Sequence, residues 1–471
     1  MEGLEISEVA FSNIDLGDRF DSEFFEKEDL RVEHILKTKN AIELRQFGDF
    51  VASAFYPAAT HLYETGDTPF IRCVDCVNFP LITKEQDKSF EKIPLEFVEN
   101  QSGVNTLNRN DIVITKVGTP SFPSMVYEHE MVALSRTVMG LKNIRDINKF
   151  YLLIFLRSKY GFSQLQRHRE LTIQYQLTLE RTKRTLVFVP SKSFQTTIEE
   201  IVHKFIAGIN SAKQLYAQAE NLLLETLGFT DFQPSQEPIN VKSFSESFGN
   251  SGRLDAEYYQ IKYEEIQSHI FTFKNGYTTV SSEFEISKDI IDRSKKAYNY
   301  TEISDVNVSD GSVEYNLIDT EDLPANGKLV LKERQIIISK VRPYRGAVGI
   351  IRNAPENYVG SGAFTVLSEV SSYKLEALQV LLRSKPYQEL IMKFNVGSSY
   401  PVVKDEDILQ LPIPVIDFDK QQEIADLVKE SFKLKKQSEH LLEVAKSAVE
   451  MAIEQDEATA IAYIKETTFT A

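Results

Sequence analysis

Two pairs of closely spaced carboxylates could carry catalytic chemistry. Asp21 with Glu23, and Asp255 with Glu257, offer the oxygen atoms that a general acid–base pair or a magnesium site requires. In each pair the aspartate follows an arginine by two residues, and a neighbouring guanidinium favours the ionised carboxylate over a proton donor. We therefore expect an ion-paired structural role for these residues, with a metal-dependent nuclease as the alternative.

Two cysteines, Cys73 and Cys76, have the spacing of a redox dithiol or of half a zinc site. They are the only cysteines of the chain, so a second pair that would complete four zinc ligands is absent. The seven histidines show no ligand spacing, and the sequence lacks an HExxH motif, a phosphate-binding loop and a GxSxG elbow. We expect both cysteines to be buried and structural.

A third pattern combines basic and aromatic residues on a turn. Residues 341–346, Val-Arg-Pro-Tyr-Arg-Gly, follow a β-branched run and present two arginines and a tyrosine. Arginine can bind guanine edges or phosphates, and tyrosine can stack on a base or donate a hydrogen bond. A matching turn at residues 117–124 is poor in charge and rich in hydroxyl groups. Two turns of different chemistry suit two readers of different DNA sequences, although loop divergence after a duplication would look similar.

Positive charge is concentrated in two stretches of an acidic chain. The 471 residues carry 53 Lys and Arg against 69 Asp and Glu, a net charge of −16. Residues 157–184 and 332–352 each carry +5, which leaves −26 on the remainder. Local basic surface rather than total charge attracts phosphates, so both stretches are candidate nucleic-acid contacts. Two solvated basic faces with no such partner are the alternative.

The composition is that of a folded protein with two or more domains. Hydrophobic residues make up 42% of the chain and charged residues 26%. No apolar run reaches the roughly 18 residues that a membrane span needs. The acidic N-terminus lacks the pattern of a signal peptide, and two cysteines agree with a reducing compartment. We expect a cytoplasmic protein.

The elements that must position these residues occur twice. Residues 19–25 recur as residues 253–259 with conservative differences alone. Further pairs follow in the same order: 70–75 with 300–305, 112–117 with 336–341, 156–159 with 382–385, and 200–201 with 423–424. In the second copy, the residues equivalent to the two cysteines are Ile303 and Val306. The offset falls from 234 to 223, so the copies share a scaffold and differ in their loops.

Each copy is predicted to be a mixed α/β domain followed by a long helix. Residues 111–116 and 335–340 are short β-branched runs bounded by turn residues, which predicts strands. Heptad spacing predicts long helices over residues 195–227 and 420–455. The apolar seams are Ile198, Val202, Phe205, Ile209, Ala212, Tyr216, Ala219 and Leu223, and Ile424, Leu427, Ser431, Leu434, Ser438, Leu441, Ala445 and Ala448.

Two long seams need partners, and we expect each helix to be the partner of the other. The result would be an antiparallel coiled coil, with residues 234–246 linking the first helix to the second copy. About 30 helical residues at roughly 1.5 Å each correspond to a length of about 45 Å, somewhat more than one turn of B-DNA. The alternative is that each helix packs on its own domain alone.

Over essentially its whole length, the chain resembles the specificity (S) subunits of type I restriction–modification enzymes. The resemblance rests on the paired R-x-D-x-E-[FY]-[FY] openings, the strand–turn segments 111–118 and 335–346, residues 397–401 leading to 408–414, and Gln421-Gln422-Glu423-Ile424 at the start of the distal helix. The first copy departs from this pattern. Residues 173–176 replace Gly-Ser-Ser-Tyr-Pro, and residues 196–199 lack the glutamines.

The resemblance implies an α+β fold in which two target-recognition domains each read one half of a bipartite DNA site. It implies that the two helices dock methyltransferase (M) subunits, with two expected. This chain would have no catalytic site and no cofactor. M subunits would bring S-adenosylmethionine, and motor-nuclease (R) subunits would bring ATP-dependent translocation and cleavage, with magnesium also on partner subunits.

The predicted boundaries are 1–192 for the first recognition domain, 193–230 for the central helix, 231–417 for the second recognition domain, 418–457 for the distal helix and 458–471 for the tail.

The candidate DNA-contacting residues lie on the loops near the basic stretches. We expect arginines and lysines to contact phosphates and bases, and hydroxyl groups to adjust to base edges. The candidates are Lys116, Thr119, Ser121, Arg167 and Arg169 in the first copy, and Lys340, Arg342, Tyr344, Arg345, Ser399 and Tyr400 in the second. A duplicated protein-binding scaffold without a nucleic-acid partner is the alternative, favoured by the −26 outside the basic stretches.

Overall fold

The computed structural model describes residues 6–9, 21–54, 59–63, 65–77, 79–101, 103–171, 174–396 and 400–469. The chain forms two compact units. The first comprises Met1–Ala207 and Gln437–Ala471, and the second comprises Gly208–Lys436. Each unit therefore contains a domain together with part of both long helices. The predicted domain boundaries, which separate the helices from the domains, stay a prediction.

The first half of the chain contributes six helices and thirteen strands among the described residues. The helices are α1 (Lys27–Thr38), α2 (Leu95–Asn100), α3 (Lys149–Arg157), α4 (Lys159–Arg167), α5 (Leu179–Lys183) and α6 (Lys192–Leu227). The strands are β1 (Ile42–Glu43), β2 (Asp49–Ala52), β3 (Thr68–Ile71), β4 (Leu81–Ile82), β5 (Glu91–Ile93), β6 (Thr106–Asn108), β7 (Ile112–Thr115), β8 (Pro123–Val126), β9 (Met131–Leu134), β10 (Val138–Lys142), β11 (Arg169–Leu171), β12 (Tyr175–Leu177) and β13 (Leu186–Val187).

The second half contributes eight helices and ten strands among the described residues. The helices are α7 (Phe248–Ser251), α8 (Ile261–Phe271), α9 (Val280–Glu283), α10 (Leu375–Arg383), α11 (Lys385–Leu390), α12 (Asp405–Leu409), α13 (Phe418–Glu454) and α14 (Glu457–Phe469). The strands are β14 (Tyr277–Thr279), β15 (Phe284–Ile286), β16 (Ala297–Thr301), β17 (Asn316–Asp319), β18 (Gly327–Val330), β19 (Gln335–Ser339), β20 (Val348–Ile350), β21 (Tyr358–Ser361), β22 (Phe364–Glu369) and β23 (Pro412–Pro414).

The duplication seen in the sequence is also present in the strand order. The first unit has sheets ordered β2-β10-β7-β8-β4 and β5-β3-β9-β6, and the second has sheets ordered β15-β22-β19-β20 and β17-β16-β21-β18. In each unit the second sheet contains one parallel pair, β3 with β9 and β16 with β21. Strand β4 and the hairpin β11–β12 have no strand counterpart among the described residues of the second unit. The two copies therefore share a scaffold and differ at its edges and loops.

The predicted strands at residues 111–116 and 335–340 are confirmed as β7 and β19. Every residue of both strands is buried, and each strand lies between two neighbours of its sheet. Consecutive buried residues mean that both faces of the strand are covered, which explains the uninterrupted β-branched runs. These two strands lead directly into the candidate DNA-reading turns.

The two predicted long helices are confirmed as α6, with 36 residues, and α13, with 37 residues. In the first unit, the backbone N–H of Ser191, immediately before α6, donates to Glu457 after the end of α13 at 2.8 Å. In the second unit, Leu223 near the end of α6 shares a buried cluster with Ile424 near the start of α13. The helices are therefore antiparallel within each unit, as the seams predict.

Serine occupies two buried seam positions of α13, and one of them shows how a polar side chain is accommodated there. Ser431 donates its hydroxyl proton to the backbone carbonyl of Ala212 on α6 at 2.6 Å. The hydrogen bond satisfies a hydroxyl group that would otherwise be costly to bury. Beside it, the rings of Tyr216 and Phe432 lie edge to face with centroids 6.4 Å apart. The two helices thus pack on one another, so the prediction of an α+β fold with antiparallel helices is confirmed over packing on separate domains.

A buried arginine joins the second domain to the long helix within the second unit. The Arg383 guanidinium donates to the hydroxyl of Tyr216 on α6 at 2.7 Å and to the carbonyl of Gly346 at 3.1 Å. It also donates to the carbonyls of Val308 at 3.0 Å and Asn307 at 3.4 Å. These four acceptors satisfy a charge that would be unstable alone in the interior. Arg383 therefore fixes the end of the candidate turn relative to α6.

The first unit contains an equivalent contact. Arg157, at the end of α3, donates to the carbonyl of Pro123 at 2.6 Å. Pro123 follows the turn after β7 just as Gly346 closes the turn after β19. The repeated Leu-Arg-Ser-Lys segments thus place the same side chain at the same point of both scaffolds.

Among the described residues, no helix is both long and apolar enough to cross a membrane.

Replacing Arg383 by leucine should lower the free energy of unfolding of the second unit by about 3 kcal/mol or more, because it leaves several buried acceptors unsatisfied. Urea denaturation followed by circular dichroism measures this change. Lys385→Leu is the matched control, because Lys385 is exposed two residues further along. It should shift the free energy of unfolding by no more than about 0.5 kcal/mol. Equal effects of both substitutions would contradict the role assigned to Arg383.

Candidate nucleic-acid interface

In the second unit, the backbone of the candidate turn has two residues with positive φ, Arg342 and Gly346. Arg342 lies in the left-handed region with φ 50°, and Pro343–Arg345 form one turn of 3-10 helix. Gly346 closes it with φ 69°, and a Cβ atom there would lie 2.4 Å from the side-chain nitrogen of Gln388. Glycine is therefore favoured at this position by its positive φ, and a larger residue would also have to displace the flexible Gln388 side chain. The turn presents Tyr344, whose exposed fraction is 43%, and Arg345, which is also exposed.

A second loop pairs with this turn and brings Tyr400 to it. Val341 and Val402 form an antiparallel bridge, and the backbone N–H of Arg342 donates to the carbonyl of Pro401 at 2.8 Å. The guanidinium carbon of Arg342 lies 4.7 Å from the ring centroid of Tyr400, a cation–π contact. The exposed fraction of Tyr400 is 60%. Ser399, the neighbouring candidate, lies outside the described residues.

Most basic residues of the stretch 332–352 are bound to other groups of the second unit. Lys332 pairs with Asp289 at 2.6 Å, Arg334 pairs with Glu369 at 2.8 Å, and Lys340 pairs with Asp405 at 3.2 Å. Arg352 is buried against the ring of Phe432, with its guanidinium carbon 3.6 Å from the ring centroid, and burial lowers its pKa to about 10.

Two arginines of the stretch differ from the other four basic residues. No described residue accepts a hydrogen bond from the side chain of Arg342 or Arg345 or forms an ion pair with it. These are the two arginines that flank Tyr344 on the turn. The second unit thus leaves two guanidinium groups available at one place, with two exposed tyrosines beside them.

The first unit places its candidates on a similar turn with different chemistry. Lys116 ends the strand segment, and its carbonyl accepts the backbone N–H of Leu177 on β12 at 2.9 Å. Thr119 is exposed at the tip of the turn. Ser121 is fully buried, and its hydroxyl donates to the carbonyl of Leu165 at 2.9 Å. The structure therefore brings Lys116 and Thr119 to the surface of the turn and uses Ser121 to hold it.

The two arginines predicted to contact DNA in the first unit lie in different surroundings. Arg167 donates to the carbonyl of Phe24 at 2.7 Å and pairs with Glu33 at 2.6 Å, and its side chain is only 7% exposed. Arg169 lies on β11, donates to a backbone carbonyl, and its guanidinium carbon lies 4.5 Å from the ring centroid of Tyr175. The structure thus places Arg169 beside the turn and Arg167 within the packed domain.

Tyr175 is a candidate that sequence reasoning missed. Its neighbour Gln176 forms an antiparallel bridge with Val117, as Val402 does with Val341 in the second unit. Both units therefore hold an arginine–tyrosine contact where the loop meets the turn. A tyrosine within residues 173–176, the segment where the repeat departs from its pattern, was the available signal. The roles of all predicted DNA-contacting residues stay predictions.

The basic stretch of the first unit, residues 157–184, is largely neutralised by acidic partners. Lys159 pairs with Glu28 at 2.8 Å, and Arg181 pairs with Glu170 at 2.5 Å. With Arg157 and Arg167 also engaged, the surplus charge seen in the sequence is mainly used inside the domain. The local charge count of the sequence therefore overstates the basic surface of this unit.

The repeated carboxylates show ion-pair and capping geometry. Asp255 accepts two hydrogen bonds from Arg253, at 2.8 and 2.6 Å, which lower the pKa of its carboxyl below the usual range. Asp21 accepts the backbone N–H of Phe24 at 3.3 Å and caps a short 3-10 helix. Within the described part of the chain, no three His, Cys, Asp or Glu residues are grouped so that they could hold a metal ion. These contacts give no support to a nuclease.

The two cysteines are free thiols in the interior of the first domain. Both side chains are buried, and burial raises the pKa of each thiol, most strongly for Cys76. The sulfur of Cys73 lies 3.3 Å from the carbonyl oxygen of Thr119 on the candidate turn. The thiols therefore pack and support the turn, in agreement with the expected structural role.

Comparison with known families identifies one domain. The family described as Type I restriction modification DNA specificity domain matches residues 267–444. The specificity subunit of the type I restriction enzyme HindI from Haemophilus influenzae is 30% identical over 112 residues, which are 23% of this chain and 24% of that protein. The match thus spans about a quarter of that relative. The resemblance to specificity subunits is confirmed over the matched residues.

Solved structures with low sequence identity are also similar. The S subunit of a type I restriction–modification system from M. genitalium aligns over 90% of this chain and 95% of its own, with a TM-score of 0.37 and 10% identity. The HsdS subunit from Thermoanaerobacter tengcongensis aligns over 88% and 96%, with a TM-score of 0.29 and 12% identity. Because both TM-scores are below 0.5, the fold is described from the sheets and helices of this chain alone.

Iodoacetamide at pH 8 should alkylate neither cysteine of the folded chain, because the thiolate is the nucleophile and burial raises both pKa values. Both cysteines should react after unfolding in urea, which mass spectrometry of the modified peptides measures. Cys76→Val should fold normally, since valine occupies the equivalent position of the repeat. Rapid alkylation of the folded chain would contradict a purely structural role.

Proposed function

Because residues 267–444 match the family of type I restriction modification DNA specificity domains, we propose that this chain is the specificity subunit of a type I restriction–modification complex. It is a non-catalytic subunit in which each unit reads one half of a bipartite DNA site. The chain acts on cytoplasmic DNA. S-adenosylmethionine, ATP and magnesium bind to partner subunits.

The observation that supports this proposal is a pair of arginines on the turn of the second unit whose side chains have no hydrogen-bond or ion-pair partner among the described residues. Folding pairs or buries the other four basic residues of the stretch. It leaves the side chains of Arg342 and Arg345 without a hydrogen-bond acceptor or an ion-pair partner among the described residues, and the Arg342 guanidinium contacts the ring of Tyr400. An arginine fork matches the O6 and N7 atoms of guanine and also phosphate oxygens. The exposed rings of Tyr344 and Tyr400 add stacking or hydrogen-bonding groups beside them.

The first unit offers a different set of contacts for its half-site. An exposed threonine, Thr119, stands at the tip of its turn, with Lys116 at the turn's base and Arg169 on the adjoining hairpin. A hydroxyl group can donate to or accept from several base edges, whereas a guanidinium can only donate. The two units therefore read different sequences with the same scaffold.

The exposed faces of α6 and α13 are proposed to bind the methyltransferase subunits. Their apolar seams are used between the two helices, so the docking surface consists of the remaining, largely polar faces. Two equivalent units suit two copies of one partner. The motor-nuclease subunits join through that complex.

Removing both free arginines, in the double variant Arg342→Gln/Arg345→Gln, should weaken binding to a mixed-sequence DNA duplex. The slope of log affinity against log salt concentration should become shallower by about one to two, since each lost phosphate contact removes roughly 0.9 from the slope. Fluorescence anisotropy across a salt series, with the full chain alone and with its methyltransferase partner, measures both quantities.

A matched control removes the same charge from the same stretch. Lys332→Gln/Arg334→Gln also loses two positive charges, but both side chains are ion-paired in the folded chain. It should change affinity and slope much less than the turn variant. Equal losses would indicate a diffuse electrostatic effect, and indifference of both variants would favour the protein-binding scaffold.

Co-expression with the methyltransferase subunit in a methylation-free host should modify one bipartite motif with a fixed unread gap. Sequencing for modified bases identifies that motif. Exchanging the turn residues 341–346 for those of another specificity domain should change the motif in one half alone, because each unit reads its half independently. Absence of modification despite a stable complex would contradict the proposed function.

A further inference from the structure

The repeated Arg-x-Asp-x-Glu segment of the second unit lies next to the DNA-reading loop, although neither of the proposed contacts involves it. Arg253 is held by Asp255 through two hydrogen bonds, from Nε to Oδ1 at 2.8 Å and from Nη2 to Oδ2 at 2.6 Å. Its guanidinium carbon lies 4.5 Å from the ring centroid of Tyr258 in the same segment. The arginine is thus fixed on two sides by its own motif.

The remaining contact of Arg253 is to a different part of the fold. Its Nη2 also donates to the backbone carbonyl of Asn395 at 3.1 Å. The side-chain oxygen of Asn395 in turn accepts the backbone N–H of Val402 at 3.0 Å. The N–H of Val396 donates to the carbonyl of the same Val402 at 3.0 Å. Arg253 therefore holds Asn395, the residue whose side chain pairs with Val402.

The pairing of Val402 and Pro401 places Tyr400, the residue immediately before them. Val402 is bridged to Val341, and the carbonyl of Pro401 accepts the N–H of Arg342. Tyr400 then lies with its ring beside the Arg342 guanidinium, 4.7 Å from ring centroid to carbon. A continuous series of hydrogen bonds and ring contacts therefore runs from the motif to the free arginine of the turn.

A second set of contacts joins the motif to the residues that enter the loop. The ring of Tyr258 meets that of Phe394 edge to face, with centroids 6.2 Å apart. The ammonium group of Lys393 lies 4.9 Å from the Tyr258 ring centroid and also donates to Gln267 at 2.5 Å. Polar and aromatic contacts of the motif are thus both made with residues 393–395.

We propose that Arg253, oriented by Asp255, is a positioning residue for DNA reading, which sets the loop that carries Tyr400 to Arg342. The inference rests on the proposed function for its consequence in DNA, but the positioning itself can be tested without DNA. It assigns the duplicated motif a role in the geometry of recognition. It predicts that the motif acts on specificity in the half-site of its own unit.

The chain contains no tryptophan, so Tyr400→Trp introduces a single fluorescent reporter at the loop. Indole is the best aromatic partner for a guanidinium, so the contact with Arg342 should persist. In this background, Arg253→Gln should shift the emission of the introduced indole to longer wavelength and increase its quenching constant with acrylamide. Arg253→Lys keeps a charge but not the fork, and should restore these values in part.

The matched control is Arg293→Gln in the same background. Arg293 also donates to backbone carbonyls, those of Leu323, Pro324 and Gly327, which belong to a segment distant in sequence from this loop. It should leave the emission and quenching of the indole reporter unchanged. Unchanged emission in Arg253→Gln, or the same change in both variants, would overturn the positioning role.

The consequence for recognition is measured in the native tyrosine background with the complete methyltransferase complex. Arg253→Gln should raise methylation at sites with one wrong base in the second half by about tenfold relative to cognate sites, while sites with a wrong base in the first half stay unmethylated. General loss of stability would lower methylation at all sites alike. If the indole reporter responds but the half-site does not relax, the role in DNA reading is overturned, and so is the proposed function of this loop. The anchoring contact would still stand.

Discussion

An arginine at the end of a helix donates a hydrogen bond to the backbone of each candidate DNA-reading turn or of the residue next to it. In the second unit, Arg383 donates to Tyr216 on the long helix and to the carbonyl of Gly346 where the turn closes. In the first unit, Arg157 donates to the carbonyl of Pro123 at the corresponding point. A guanidinium suits this position because its rigid plane of N–H donors can satisfy several acceptors at once. The helices therefore help to position the turns, in addition to the backbone conformation of the turns themselves.

In the folded chain, most basic side chains of the two positively charged stretches form ion pairs or hydrogen bonds within their own unit. Arg334 pairs with Glu369, and Arg167 pairs with Glu33. A buried charge with a carboxylate partner, such as Arg167, gains little from a phosphate, because the first interaction must be broken. The basic side chains of residues 332–352 that have no hydrogen-bond acceptor or ion-pair partner among the described residues are those of Arg342 and Arg345. A few available side chains suit the proposed reading of a DNA sequence, since a uniformly basic face would bind all sequences alike.

Duplication supplies two domains with one scaffold, and the loops make them different. Strand order is kept between the copies, as is the parallel pair of each second sheet. Both copies also keep an arginine that donates to a backbone carbonyl at the end of the turn, Arg157 and Arg383. The turns differ in charge, and an extra hairpin, β11–β12, is added in the first copy. Both copies nevertheless keep an arginine against a tyrosine at the loop, Arg169 with Tyr175 and Arg342 with Tyr400. The same type of contact is therefore present in both copies, although its residues come from different positions of the repeat.

The sequence by itself determined the duplication, the buried strands, the two long helices and their seams, because periodicity and repeated order are local properties of a chain. It also indicated ion-paired carboxylates and structural cysteines, from an arginine two residues away and from Ile303 and Val306 in the repeat. Only the tertiary structure decided which basic residues stay free, since Glu33 lies 134 residues from its partner Arg167. It likewise decided that Arg253 reaches the loop at Asn395, because that contact joins segments 142 residues apart that no spacing rule relates.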